Sequence, residues 1–383
     1  MKILYDHQTF TTQQYGGIPK YFCELTRFFS KCSEMSFEFS LRYSINENLT
    51  NQPELYQYWS NRSGLLSNQI LLTFQKKLNK NILYHLKINQ KESIRLLEKG
   101  DFDIFHPTGY NPYFLDHIRK PFVLTVYDMI HEKYPEYYPG QDATTRWKKK
   151  VIEKADSIIA ISQNTKQDIV HYFNVESDHI SVVYLGNPLE QALQDSSQKQ
   201  FQKNPMLNSK YILFVGSRER YKNFQFFVSS IASLLQKHDD LHLYCAGGGQ
   251  FTPTEKKQLI NLDILSKVHY FSINDELMID LYKNAQAFVF PTLYEGFGLP
   301  VLEAFSCGCP VIASQTSSLS EIAGDAARYI DPYDKNSIIA GVESLLNDSN
   351  YRGELTRKGY ERQKLFSWER TARETKKIYG NIT

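Results

Sequence analysis

The chain has 383 residues, 42% hydrophobic and 22% charged, which is the make-up of an ordinary globular protein long enough for two domains. Its 44 Lys and Arg against 42 Asp and Glu leave a net charge of +2, which excludes a large electrostatic footprint for nucleic acid. Cys23, Cys32, Cys245, Cys307 and Cys309 are scattered without CxxC spacing, which excludes a zinc or dithiol motif and suits reduced thiols in a cytosolic protein.

The N-terminal MKILYDHQTF carries no apolar signal-peptide core. No run of roughly 18 apolar residues follows anywhere, so the expectation is a soluble or peripheral protein. Short β-type runs alternate with amphipathic helical patterns from there on. In the first half they fall at 2–5, 37–43, 104–106, 122–127, 157–161 and 180–184, with a helix over 18–30. The segment 56–97 is helical in pattern and carries no readable motif. Basic runs at Arg146-Trp147-Lys148-Lys149-Lys150 and at Lys76, Lys77, Lys80, Lys87 and Lys91 read as solvated helix faces. The alternative reading of these runs is a peripheral contact with an anionic membrane surface.

Residues 190–209, EQALQDSSQKQFQKNPMLNS, are polar and rich in Gln and Ser, the composition of a linker. Beyond them β-type runs resume at 211–215, 242–246, 268–271, 287–291, 310–313 and 327–330, with helices over 223–237 and 338–346. Strand–helix alternation predicts an α/β protein of two Rossmann-like domains, each a parallel sheet with helices on both faces. The expected division is 1–190, a linker over 191–209, a second domain over 210–366 and a last helix over 367–383. Ligands of such sheets bind beyond the carboxyl ends of the strands, here expected in a central cleft.

The stretch FPTLYEGFGLPVLEAFSCGCPVIAS runs from Phe290 to Ser314. A strand leads into a Gly-Phe-Gly-Leu-Pro turn, and Pro300 suits the first turn of a helix. The amides of Phe297, Gly298 and Leu299 would then be donors at a helix N-terminus, a phosphate-sized pocket. Two acids beside phosphate would repel it, so Glu295 and Glu303 are expected to accept hydroxyls instead. Polyol, diphosphate and ribose together describe a nucleotide sugar. At the end of the 211–215 strand, Arg218, Arg220 and Lys222 can neutralise the diphosphate.

In the first half, Gly16 and Gly17 with Lys20 form a glycine loop at a helix start. His106, Tyr127 and Asp128 fall at or just after predicted strand ends. Gly247-Gly248-Gly249 lacks the G-x-G-x-x-G spacing of a dinucleotide site.

EGFGLPVLEAFSCGCPVIAS closely resembles the signature of the retaining glycosyltransferases of family 4, which have the GT-B fold. The blocks YDHQTFTTQQYGGIPKYFCEL, DIFHPTGYNP, LTVYDMIHEKYP, ADSIIAISQNTKQDI, LFVGSRERYKNF and LYKNAQAFVFPTLYEGFGLP are similar to that family's in order, nearest to its mannosyltransferase-like branch of bacterial surface-polysaccharide synthesis. The resemblance implies transfer of a hexosyl group, mannose favoured, from a GDP- or UDP-sugar to a saccharide or lipid-linked acceptor, without a metal or other cofactor. It implies that Arg218 and Lys222 hold the diphosphate, Glu295 the hexose and Glu303 the ribose. The last helix would return to the first domain. Two positions depart from the family pattern: Tyr127 stands where His is usual, and Tyr221 where Arg is usual. Other readings left open are a nucleotide-sugar epimerase, a phosphorylase, and a non-catalytic carbohydrate-binding protein.

Overall fold

The structure is a computed structural model that describes residues 1–50, 82–138, 142–196, 209–218 and 220–383. The basic residues Lys76, Lys77 and Lys80, most of the 56–97 segment and residues 197–208 lie outside the described residues. The chain divides into two compact units, Met1–Gly186 with Trp368–Thr383, and Asn187–Ser367.

In the first unit β1 (Lys2–Tyr5), β2 (Ser36–Phe39) and β3 (Ile104–His106) form a parallel sheet of order β2-β1-β3. A second parallel sheet takes β4 (Val123–Val126), β5 (Ser157–Ala160) and β6 (Ile180–Val182) in sequence. A parallel bridge between Phe105 and Phe122, with the Phe105 amide on Pro121 O at 3.0 Å, sets β3 beside β4. The six strands therefore run 2-1-3-4-5-6, and the direction of winding reverses between β1 and β3. The β2 run ends earlier than its residues predict. The amides of Arg42 and Tyr43 bond instead to Asn89 Oδ1 on helix Ile82–Lys99, at 2.8 and 3.0 Å.

The last helix, Trp368–Asn381, packs on helix Gly17–Phe29 within this first unit. Its Thr371 hydroxyl donates to Tyr184 O at 2.7 Å.

The second unit holds β7 (Lys210–Val215), β8 (Leu241–Ala246), β9 (Val268–Phe271), β10 (Ala287–Phe290), β11 (Val311–Ser314) and β12 (Ala327–Ile330). All pair in parallel, in the order β12-β11-β10-β7-β8-β9. This is the doubly wound arrangement, and its winding reverses between β7 and β10. Strands covered on both faces read as unbroken apolar runs, as in AFVF of β10, whose four residues are all buried. Helix Phe224–Lys237 buries Phe224, Phe227, Val228, Ile231, Leu234 and Leu235, the three-and-four spacing of one helical face. That face packs on Ile212, Phe214, Leu243 and Cys245 of the sheet. Each such side chain is worth about 1.5–3 kcal/mol when fully removed from water.

All twelve β-type runs of the sequence become strands, and both halves are parallel α/β sheets. The linker expectation needs correcting at its start, where Glu190–Ser196 forms a helix. The basic run 146–150 is also not a uniformly solvated face. Lys148 lies on the same side of helix Thr144–Ile152 as Val151 and Ile152 and is fully buried, with its ammonium 2.8 Å from Glu132 Oε2 and 2.9 Å from Asp128 O. Arg146, Trp147, Lys149 and Lys150 point outward, as do Lys87 and Lys91 on their helix. Among the described residues no helix is long and apolar enough to cross a membrane.

Candidate active site

The reversal between β7 and β10 brings two loop ends together at the carboxyl edge of the second sheet. The Leu293 amide donates to Tyr221 O at 2.7 Å, and the Thr292 hydroxyl reaches the same carbonyl at 3.1 Å. Lys222, which closes the single turn Arg220–Lys222, is thereby fixed opposite the strand end that carries Glu295. Its Nζ lies 2.7 Å from Glu295 Oε1, and each side chain is 12% exposed. The ammonium also sits over the Tyr221 and Phe290 rings, 5.1 and 5.2 Å from their centroids.

The glycine turn that follows is held from the β11 side. Ser317 Oγ accepts the Glu295 amide at 2.9 Å, and the Ser318 hydroxyl lies 2.9 Å from both Glu295 O and Phe297 O. Gly298 caps helix Leu299–Ser306 at φ 107°, a left-handed conformation, and a Cβ there would lie 2.7 Å from Leu319 Cδ2. Phe297 turns inward, edge-on to Phe366 at 5.9 Å. In the first turn of this eight-residue helix Pro300 has no N–H and the Val301 amide bonds to Gly298 O at 2.9 Å, while the helix dipole adds positive potential beside the Leu299 amide. Glu303, one turn along, accepts the Tyr282 hydroxyl at 2.9 Å. Burial, together with the Glu303 charge, raises Tyr282 well above the usual phenol range, so it stays a donor. Ser317, Ser318 and Tyr282 were not evident from sequence. The only signal was a serine-rich stretch, Ser317-Ser318-Leu319-Ser320, after β11.

Arg218 is placed differently from the expectation that it grips a phosphate. Its Nε lies 2.8 Å from Glu255 Oε1, and its remaining nitrogens donate to Gly247 O, Gly249 O and Gln250 O at 3.2, 2.8 and 3.0 Å. The guanidinium stacks over Phe251 and Phe224, and the side chain is 3% exposed. Burial acts to raise Glu255, but hydrogen bonds from Thr252 and Arg218 outweigh it and hold the carboxyl below its ordinary range. The glycine run 247–249 is thus a cradle for Arg218 rather than for a dinucleotide. Gly248 is in the left-handed region, and a Cβ there would lie 2.5 Å from Gly216 O. Arg220 is exposed.

In the first unit the reversal lies between β1 and β3, and Asp6 organises it. Asp6 Oδ1 accepts the Thr108 amide and hydroxyl at 2.8 and 2.6 Å, and Oδ2 accepts Gln8 and Tyr113 at 2.7 and 3.1 Å. His106 is not open to a ligand: its Nδ1 is 2.6 Å from Tyr379 Oη and its Nε2 is 2.9 Å from Thr125 Oγ1, in full burial. Burial depresses its imidazole to about 3. Tyr127 is 7% exposed, its hydroxyl has no partner among the described residues, and its amide bonds to Tyr110 Oη at 3.0 Å. Asp128 accepts the Ile130 amide at 3.1 Å and its side chain is one-third exposed. Gly16 and Gly17 are exposed at the start of their helix, and Lys20 pairs with Glu24 at 3.3 Å. Cys307 and Cys309 are buried thiols, with Cys307 pushed up to about 12 by burial.

Two family models match the chain: Glycosyltransferase Family 4 over residues 65–191, and Glycosyl transferases group 1 over residues 195–362. O-antigen chain mannosyltransferase B of Escherichia coli is 29% identical over 304 residues, covering 77% of this chain and 78% of that protein. Many solved structures share the fold, two of them as follows. Sucrose-phosphate synthase from Thermosynechococcus elongatus superposes with a TM-score of 0.68 at 18% identity, covering 99% of this chain and 98% of that one. WaaG, a glycosyltransferase involved in lipopolysaccharide biosynthesis, gives 0.67 at 14% identity, covering 100% of both chains. One family model falls in each unit, and the chain belongs to the family 4 glycosyltransferases, with the GT-B fold and a mannosyltransferase-like sequence.

Proposed function

We propose that the protein moves a hexosyl group from a nucleotide diphosphate sugar to a hydroxyl of a saccharide or lipid-linked saccharide acceptor, in the synthesis of a surface polysaccharide. Mannose is the favoured sugar and GDP the favoured nucleotide over UDP, following the similar O-antigen chain mannosyltransferase of Escherichia coli. The observation that carries the reading is the Lys222–Glu295 pair at 2.7 Å, set at the switch point of the sheet beside a glycine-capped helix start.

In this scheme the diphosphate draws Lys222 away from Glu295 and lies against the helix amides, and the freed carboxylate accepts sugar hydroxyls. Glu303 accepts the ribose hydroxyls. The bond from the anomeric carbon to the diphosphate oxygen breaks as the acceptor oxygen bonds to the same face and passes its proton to the departing diphosphate oxygen, giving retention. Lys222 and the amides meet the charge on the departing diphosphate, without a metal ion. Asp128 is proposed to contact the acceptor. Exposed Arg146, Trp147, Lys149 and Lys150 support a peripheral contact with an anionic membrane.

The test is release of nucleoside diphosphate from GDP-mannose, GDP-fucose, UDP-glucose, UDP-galactose and UDP-N-acetylglucosamine, by the native protein and by Glu295→Ala. Release from GDP-mannose that disappears in the variant is the expected result. Epimerised donor without acceptor would make the protein an epimerase, and the lack of any nucleotide binding would make it non-catalytic.

A further inference from the structure

Lys148 is fully buried, and its charge lies just beyond the carboxyl end of β4. The ammonium donates to Glu132 Oε2 at 2.8 Å and to Asp128 O at 2.9 Å, and it stands 3.9 Å from Asp128 Oδ1. It also sits 5.2 Å from the centroid of the Tyr110 ring, and the Tyr110 hydroxyl accepts the Tyr127 amide at 3.0 Å. Burial, and after it the Asp128 charge, hold Tyr110 well above the usual phenol range, so it is a neutral phenol.

Stability does not account for a cation at this place. Val151 and Ile152 share its side of helix Thr144–Ile152, and a pair of apolar residues in place of Lys148 and Glu132 would serve that packing as well or better. What Lys148 supplies, and an apolar residue would not, is a donor for one particular carbonyl. Helix Ile130–Lys133 takes Met129 O and Ile130 O into bonds with the Lys133 and Tyr134 amides, at 3.0 and 2.9 Å. Asp128 O, one residue ahead, is taken by Lys148. The Tyr127 amide and the Asp128 carbonyl are thus both fixed by side chains, those of Tyr110 and Lys148.

Of the polar groups in the first unit, His106 is sealed by Tyr379 and Thr125, and Lys20 is paired with Glu24. The Asp128 carboxylate is capped by the Ile130 amide and remains one-third exposed. A group that receives a substrate hydroxyl gains from a fixed position, since a displacement of about 1 Å can cost on the order of 100-fold in rate. We propose that Lys148 is a positioning residue for the acceptor. By holding the Asp128 carbonyl, and by facing its carboxylate with a positive charge, it aims Asp128 at the acceptor hydroxyl without touching the acceptor itself. This role rests on the transferase reading and on the acceptor contact proposed for Asp128.

The experiment is a double-mutant cycle on transfer from GDP-mannose to α-linked mannotetraose. It compares the native chain, Asp128→Ala, the pair Lys148→Met with Glu132→Leu, and all three substitutions together. Lys148→Met alone would strand the Glu132 charge, whereas the pair removes both charges and keeps the fold, which a thermal melt checks. In the paired variant kcat/KM for the acceptor falls about tenfold or more, while GDP affinity, measured by calorimetric titration, stays native. Adding the pair to Asp128→Ala brings no further loss, because the residue it positions is gone. An equal change in both backgrounds would mean that Lys148 serves packing alone, and it overturns the proposal. Native acceptor kinetics in the paired variant, or in Asp128→Ala, overturn it as well. Failure of the transferase reading shows separately, as no GDP binding and no transfer by the native chain, and it takes the proposal with it.

Discussion

Lys222 Nζ and Glu295 Oε1 meet at 2.7 Å although 73 residues separate them in the chain. Each side chain is 12% exposed, so both charges have lost most of their hydration. A pair of this kind adds little net stability over an apolar pair of equal volume. Its position at the reversal of the sheet is therefore better explained by chemistry than by folding.

The first prediction separates those two roles. Lys222→Ala is expected to lower donor turnover on the order of 100-fold or more, the scale for removing a charge that stabilises a leaving group. The same substitution strands Glu295 and lowers stability as well. The double variant Lys222→Met with Glu295→Leu removes both charges and is expected to melt near the native temperature while remaining inactive. Thermal unfolding and diphosphate release on the three proteins decide it. A double variant with native turnover would take both residues out of the mechanism.

Arg218 gives the opposite pattern. Its guanidinium is used up by Glu255 and the 247–250 carbonyls. Arg218→Ala leaves a buried carboxylate unpaired and is expected to cost about 3–5 kcal/mol in urea unfolding. Turnover per folded molecule should fall far less than in Lys222→Ala, since the loss acts through the loop that carries Lys222. Native stability with abolished turnover would return Arg218 to direct phosphate contact.

The difference between these two cations shows where the sequence stops being informative. Strands were legible because parallel sheets with both faces covered need unbroken apolar runs, and the glycine turn was legible because few residue types fit its backbone. Arg218, Arg220 and Lys222 look alike in a basic loop. Which of them turns inward is decided by Glu255 and the carbonyls of Gly247, Gly249 and Gln250 from another strand end, a relation no local pattern carries. Lys148 is a similar case. The spacing Lys148, Val151, Ile152 marks one helical face, but its charge within a basic run hid that it belongs to the core, where Glu132 meets it. His106 sits at a strand end as a ligand-binding residue would, yet Tyr379, from the far end of the chain, fills its Nδ1 side.

Gly298 tests the shape of the turn. At φ 107° an alanine adopts a left-handed conformation that costs roughly 1–2 kcal/mol, and its Cβ would press on buried Leu319. Gly298→Ala is expected to melt several degrees lower and to bind GDP more weakly, because relief of the clash shifts the start of helix Leu299–Ser306. A calorimetric melt and a GDP titration check both parts. Unchanged GDP affinity would show that the helix start does not hold the phosphates.

The buried network around His106 makes the first unit sensitive to acid. Its imidazole is held neutral at about 3 by burial, against an ordinary value near 6.5. Below pH 6.5 the unfolded chain takes up a proton that the folded chain refuses, so this contribution is intact above that pH and is lost as pH falls from 6.5 toward 3. The slope is about 1.4 kcal/mol per pH unit for this one group. His106→Gln titrates no proton, so its stability should fall less steeply than that of the native chain between pH 6 and 4. Its stability at pH 8 should be lower, since the bonds to Tyr379 and Thr125 are disturbed. Urea unfolding across that range on both proteins gives the two slopes. Parallel slopes would mean that His106 takes up its proton in the folded state as readily as in the unfolded one, and that the Tyr5–Tyr379–His106 contacts can accommodate the charge.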